Sequence, residues 1–213
     1  MMQLDLPLGQ PVGARADEFL VSDINAHAVQ HLEHWGTWPV MAALLVGPRK
    51  SGRSLLSRLF ALRTGGTVID DAERQSEVDI FHAWNRAQAE RRPLLVVADA
   101  PPPAWDVRLP DLRSRIGATP VLTLGLPDAR LVASLLDYLF ERRELVAGPG
   151  LIDWITRRVE RSYISILGVV EALEEDAMVR QNRRLSITTA RPVLTNAGLV
   201  PNAPPAGAEQ EGA

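Results

Sequence analysis

The chain of 213 residues contains no cysteine, which excludes disulfides and thiolate metal sites and leaves no requirement for an oxidising compartment. No stretch is apolar for long enough to cross a bilayer, and the first eight residues lack the pattern of a secretory signal. Neither sign of charge dominates, since 23 basic residues are interspersed with 26 acidic ones. We therefore expect a soluble, cytoplasmic protein without membrane contact and without direct sequence-specific DNA binding.

Hydrophobic residues make up 46% of the chain, enough for one core and a small second one. Short β-like runs alternate with helical stretches before residue 125, which predicts an α/β domain with a parallel sheet. The predicted strands there are 42–46, 67–69, 94–98 and 120–124, and the predicted helices are 24–35 (capped by Ser22 and Asp23), 54–63, 76–91 and 109–116. Only helical spacing follows, in 128–143, 150–159, 163–181 and 188–194. We predict a flexible tail (1–10), an α/β nucleotide-binding domain (11–125), a small all-α domain (126–195) and a disordered tail (196–213).

A glycine-rich segment between a predicted strand and a predicted helix matches the phosphate-binding P-loop at every position except one. Its residues are Gly47, Pro48, Arg49, Lys50, Ser51, Gly52, Arg53 and Ser54. Arg53 stands where the pattern has lysine. Glycines let the backbone curl its N–H groups around an oxyanion, and the next helix adds its positive end, so the segment predicts a site for ATP or ADP. A turn without a ligand is the alternative. Because arginine is larger and forked, we expect binding to survive and hydrolysis to be weakened.

An ATPase also needs an acidic residue at the tip of a strand beside the P-loop, where it holds Mg²⁺. Asp70 and Asp71 follow the predicted strand 67–69. Asp70 would share the metal with the hydroxyl of Ser54, and Asp71 would orient or polarise a water. A pair of helix-capping aspartates is a compatible alternative. Asp99 ends the next predicted strand, where related ATPases place a side chain that senses the γ-phosphate.

Three histidines, His27, His31 and His34, recur at helical spacing, and two imidazoles four residues apart can share a metal. No nearby cysteine or acidic pair completes a ligand set, so histidines that contact water are favoured.

Taken in order, these segments resemble the AAA+ module of the bacterial replication initiator DnaA. The resemblance spans about residues 18–195, and its segments are the P-loop, 68–71, the strand ending in Asp99, 112–115 and the helices after them. It implies an AAA+ P-loop NTPase domain followed by a helical lid. It also implies that Arg115 is an arginine finger, which reaches the nucleotide of a neighbouring subunit. Without the resemblance, the arginines of segment 112–115 would be interpreted as an exposed charged face. The family's second sensor arginine falls on Ser165, so that charge is missing. No helix-turn-helix DNA-binding domain like that of DnaA follows in this sequence, so an initiator is not expected.

The first residues look like the hexapeptide with which Hda-type regulators, which are homologous to DnaA, bind the sliding clamp (β subunit) of DNA polymerase III. They are Gln3, Leu4, Asp5, Leu6, Pro7 and Leu8. A frayed tail is the alternative. The resemblance implies a negative regulator of initiation that binds the clamp and stimulates hydrolysis of DnaA-bound ATP through Arg115. Its own ligand would be ADP or ATP with Mg²⁺, its own hydrolysis weak or absent, and self-association possible. A clamp-binding DnaA adaptor without ATPase stimulation, or an autonomous P-loop ATPase, are the alternatives.

Overall fold

The computed structural model describes residues 19–202. The predicted clamp-binding segment Gln3–Leu8 lies outside the described residues, as does the end of the chain after residue 202. The chain divides into two compact units between Leu126 and Pro127. This division lies one residue from the predicted domain boundary.

The first unit is built on a four-stranded parallel sheet with the strand order β2-β3-β1-β4. The strands are β1 (Ala42–Val46), β2 (Thr67–Ile69), β3 (Leu94–Ala98) and β4 (Val121–Thr123). The central strands β1 and β3 pair from Ala42 opposite Leu94 to Val46 opposite Ala98, and every residue in both is buried. Complete burial is expected of parallel strands that helices cover on both faces. The predicted parallel α/β sheet is therefore confirmed.

Four helices pack around this sheet: α1 (Ala26–Glu33), α2 (Arg53–Thr64), α3 (Glu77–Glu90) and α4 (Pro110–Gly117). Short 3₁₀ segments lie at Trp35–Thr37 and Ala72–Arg74. The predicted cap of α1 was wrong, because Ser22 and Asp23 lie in a turn and the helix begins only at Ala26. The buried side chain of Asn25 organises that turn: its oxygen accepts the Ser22 N–H at 2.8 Å and its nitrogen donates to the Leu20 carbonyl.

The second unit is mainly helical, with α5 (Ala129–Arg142), α6 (Leu151–Thr156), α7 (Tyr163–Val179) and α8 (Ile187–Asn196) around its own core. It is not all-α, because β5 (Val146–Ala147) pairs in parallel with β6 (Arg184–Leu185). The packed chain also continues beyond the predicted limit at 195, since Val200 is buried in this core. Within residues 19–202, no helix has both the length and the apolar character needed to span a membrane.

Candidate functional site

The loop between β1 and α2 has the strand-loop-helix setting that the sequence predicted. Lys50 and Gly52 have positive φ angles of 66° and 89°, and these left-handed residues turn the chain into α2. Gly47 lies so close to the residue after β4 that an added Cβ would stand 2.7 Å from the carbonyl oxygen of Leu124. A glycine-rich turn of this kind directly before a helix is the form that phosphate-binding loops use.

Arg53, the residue that replaces the usual lysine, makes contacts within its own chain. Its guanidinium donates one hydrogen bond to the carbonyl of Ala98 and another to the carboxylate of Asp99. The side chain is only 11% exposed, whereas that of Asp99 is 60% exposed. Arg53 thus ties the start of α2 to the end of β3. Its guanidinium group therefore already has two hydrogen-bond partners within the protein.

Asp99 is held from two sides. The hydrogen bond from Arg53 lowers the pKa of its carboxyl; partial burial opposes this effect, and the charges of Arg53, Arg49 and Arg74 reinforce it. Its backbone N–H donates to the carboxylate of Glu73, in the 3₁₀ segment after β2. The side chain predicted to sense a γ-phosphate is therefore an ion-pair partner of the loop itself.

A cleft of about 180 Å³ lies beside the P-loop. It is lined by Arg49, Lys50, Arg53, Asp71, Arg74 and Asp99. Four cationic side chains against two carboxylates leave an excess of positive charge, which suits a phosphate group. The volume is below the roughly 300–1,000 Å³ typical of ligand pockets. The loop and its charges fit the phosphates of a nucleotide, but the cleft is too small to enclose the whole molecule.

The predicted magnesium ligands are not brought together in this cleft. Asp71 lines it, but Asp70 and Ser54 do not. The Asp70 carboxylate instead accepts the backbone N–H of Asp71 at 3.0 Å, and Asp71 has a left-handed φ of 49°. The end of β2 does reach the P-loop cleft through Asp71, although β3 lies between β2 and the P-loop strand β1. Among the described residues, no three His, Cys, Asp or Glu side chains are grouped as a metal site.

Arg115 lies on α4 and packs against α3. Its guanidinium carbon is 4.5 Å from the ring centre of Phe81 and 4.8 Å from that of Trp84, and it donates a hydrogen bond to the side-chain oxygen of Asn85. The Trp84 indole N–H donates to the hydroxyl of Thr119, which donates to the carbonyl of Arg115. Arg115 is half-buried in these contacts. Its neighbour Arg113 is exposed on the same helix.

Sequence reasoning missed the residue that fixes the beginning of α4. The two carboxylate oxygens of Glu77 accept the backbone N–H groups of Arg108, at 2.9 Å, and Leu109, at 2.5 Å. Leu109 is the N-cap of α4 and offers no side-chain cap of its own. The only signal in the sequence is the missing capping residue before Pro110, because Glu77 lies more than thirty residues away.

Ser165, at the position of the missing sensor arginine, belongs to the first turn of α7. Its backbone N–H donates to the hydroxyl of Ser162, the N-cap residue, at 3.1 Å. Its own hydroxyl donates to Glu160 at 3.2 Å. Ser165 therefore takes part in a helix cap and brings no positive charge.

Of the three histidines in and after α1, His27 and His34 are exposed, whereas His31 is partly buried. The rings of His27 and His31 are 6.4 Å apart, and His31 stacks on Trp38 at 5.3 Å. Burial lowers the pKa of His31, and the charges of His27 and His34 lower it further.

The sequence matches no protein-family model and no curated protein. Solved structures do resemble the fold. Domain III of the Thermotoga maritima replication initiation protein DnaA has a TM-score of 0.68 at 14% identity, over 84% of this chain and 94% of that one. The T. maritima RuvB Holliday junction branch migration motor has a TM-score of 0.61 at 14% identity, over 82% and 68%. A replication initiator DnaA bound to AMPPCP and single-stranded DNA has a TM-score of 0.58 at 16% identity, over 76% and 66%. The chain therefore shares its fold with domain III of DnaA and with the RuvB motor.

Proposed function

We propose that this chain is a DnaA-related regulator of replication initiation, of the Hda type, that acts on ATP bound to DnaA and does not hydrolyse ATP itself. One observation supports the statement that the chain does not hydrolyse ATP itself. The P-loop arginine is bonded to Ala98 and Asp99 of its own chain, so it would have to give up these bonds before it could reach the terminal phosphate of a nucleotide.

The chain's own nucleotide would have a structural role. The loop backbone, with Arg49, Lys50 and Arg74 around it, would hold the phosphates of ADP or ATP. Magnesium, when bound with the nucleotide, would neutralise phosphate charge. The neutral Ser165 and the occupied Arg53 leave two of the usual cations out of this site, which favours binding without turnover.

Arg115 is the residue proposed to act on DnaA, and its contacts set an energetic condition. Two cation–π contacts of about 0.5–1 kcal/mol each and a charge-assisted hydrogen bond of about 1.5–3 kcal/mol must be released before the guanidinium can extend. The total is roughly 2.5–5 kcal/mol. Arginine fingers accelerate phosphoryl transfer by about 10³–10⁵, equivalent to roughly 4–7 kcal/mol. The two ranges overlap, so stabilisation of the transition state by Arg115 would be large enough to offset the loss of its contacts on α3.

Clamp binding is proposed from the sequence of Gln3–Leu8. An extended segment can enter a groove with Gln3 in polar contact and the leucines in apolar pockets, each worth about 1.5–3 kcal/mol before ordering costs. The clamp is a ring with repeated sites, so a self-associating regulator would gain avidity.

The test compares Arg115→Ala with Arg113→Ala, a matched control that removes the same charge from the exposed face of the same helix. Hydrolysis of DnaA-bound ATP is measured with chain, clamp and DNA present. We expect Arg115→Ala to lose stimulation by about 10² or more and Arg113→Ala to stay near the wild type. Thermal unfolding of both variants controls for loss of the α3–α4 contacts. Full stimulation by Arg115→Ala would remove this residue from the role.

The packing of Arg115 on its own α3 favours one second candidate, an adaptor that recruits DnaA to the clamp without stimulating hydrolysis. The two functions predict different nucleotides on DnaA after the chain, the clamp, DNA and ATP-bound DnaA have been mixed. Conversion of ATP to ADP supports the regulator, whereas recruitment with ATP unchanged supports the adaptor.

A further inference from the structure

The beginning of α4 is capped by a side chain from another helix. The first N–H groups of a helix have no partner within it, and α4 has no capping side chain at Leu109. Glu77 instead holds the N-cap residue and the residue before it, because one carboxylate oxygen accepts the Leu109 N–H and the other accepts the Arg108 N–H. Hydrogen bonds to an ionised carboxylate are roughly twice as strong as neutral ones. The position of this helix end thus depends on Glu77.

Glu77 belongs to a single face of α3. Residues 77, 81, 84 and 85 follow the helical spacing that places side chains on one side. Glu77 holds the first turn of α4, while Phe81, Trp84 and Asn85 hold Arg115 near its last turn. About 9 Å of helix separates Leu109 from Arg115, since each residue adds about 1.5 Å. One stripe of α3 therefore fixes both ends of α4.

The segment before Glu77 reaches the P-loop cleft. Asp71 lines the cleft, and the Glu73 carboxylate accepts the Asp99 N–H at the end of β3. Residues 71–77 thus contact the cleft, the end of β3 and the start of α4. A change at the cleft can therefore reach Glu77 along six residues of chain, and from Glu77 it reaches α4 through two hydrogen bonds.

We propose that Glu77 is a positioning residue that sets the placement of α4, and through it of Arg115, relative to the nucleotide cleft. The proposal rests on the proposed function, because it assigns Glu77 a part in presenting Arg115 to DnaA. Glu77 touches no reacting atom and acts only through the helix that it caps.

The test uses Glu77→Gln in the full chain. Glutamine keeps the size of the side chain but offers one oxygen and one N–H₂ donor, so it cannot accept both backbone N–H groups. Asp79→Asn is the matched control, because it removes the same charge from the same turn of α3 where the side chain is exposed. Glu77→Asp keeps the charge on a shorter stem and serves if the glutamine variant does not fold.

Two readouts are needed. In the DnaA assay, Glu77→Gln should lower the maximal stimulated rate by about tenfold, with the concentration for half-maximal stimulation unchanged. In hydrogen exchange, the amides of residues 108 and 109 should exchange about five- to tenfold faster, and the acceleration should extend to residues 115–119. Asp79→Asn should change neither quantity.

A merely local cap would accelerate exchange at residues 108 and 109 alone and leave the maximal rate within twofold of the wild type, and that result would overturn the proposal. If the wild type itself does not stimulate DnaA, the proposed function fails, and hydrogen exchange still decides the role of Glu77. Acceleration that reaches residues 115–119 then supports positioning, and acceleration confined to 108 and 109 refutes it.

Discussion

The ion pair between Arg53 and Asp99 can be tested by Arg53→Lys, which restores the usual P-loop residue. The arginine fork donates to the Ala98 carbonyl and the Asp99 carboxylate together. A lysine ammonium is a compact charge on a flexible stem and does not reproduce this paired geometry. The substitution therefore frees the end of β3 and places an ammonium where phosphates bind.

The size of the effect follows from the exposure of the pair. Since the Asp99 side chain is 60% exposed, water screens the ion pair, which contributes about 0.2–1 kcal/mol. The hydrogen bond to the Ala98 carbonyl adds about 1 kcal/mol. We expect Arg53→Lys to lose about 1–2 kcal/mol of unfolding free energy. If the same contacts must break when phosphates enter, the variant binds ADP about 5–30-fold more tightly than the wild type.

The assay combines ADP titration calorimetry with thermal unfolding of the wild type, Arg53→Lys and a control, Arg49→Lys. Arg49 is exposed and lines the same cleft, but it lacks the bonds that Arg53 makes. The control should leave stability unchanged. Equal ADP affinity of Arg53→Lys and the wild type, together with reduced stability, would show that the ion pair does not compete with nucleotide, and the reasoning about an occupied site would be refuted.

Two further predictions concern the parts of the fold away from the cleft. Because the pKa of His31 lies below its usual 6.5, the unfolded chain binds this proton more readily. Stability should therefore fall as pH drops through 6.5, and His31→Gln should flatten that dependence, measured by urea unfolding at about pH 7.5 and about pH 5.5. Ser162→Ala should cost about 1 kcal/mol of stability through loss of the α7 cap, and Ser165→Ala clearly less, measured by thermal unfolding; equal losses would contradict the assignment of the cap to Ser162.

The sequence was most informative where structure is local. The strands 42–46, 67–69 and 94–98 were predicted with the observed bounds, because each is an apolar run ended by glycine or aspartate. The helices were found within a few residues, with ends that depend on caps such as Asn25. The two-residue strands of the second unit were missed, since so short a run has no alternation to detect.

Distant contacts could not be predicted in the same way. Arg53 and Asp99 are 46 residues apart, and Glu77 and Leu109 are 32 apart. No periodicity links such positions, because they meet only when the parallel strands assemble. The sequence placed both Asp70 and Asp71 in the site, whereas in the structure Asp71, which has a left-handed φ, lines the cleft and Asp70 does not.

The first glycine of the P-loop, Gly47, is required by packing as well as by phosphate binding. Gly47 leaves no room for a side chain because an added Cβ would meet Leu124, directly after β4, and the hydroxyl of Ser51 in the loop. A glycine is therefore required here by packing, whether or not the loop hydrolyses ATP. The presence of this glycine in a sequence consequently does not distinguish chains that hydrolyse ATP from chains that only bind it.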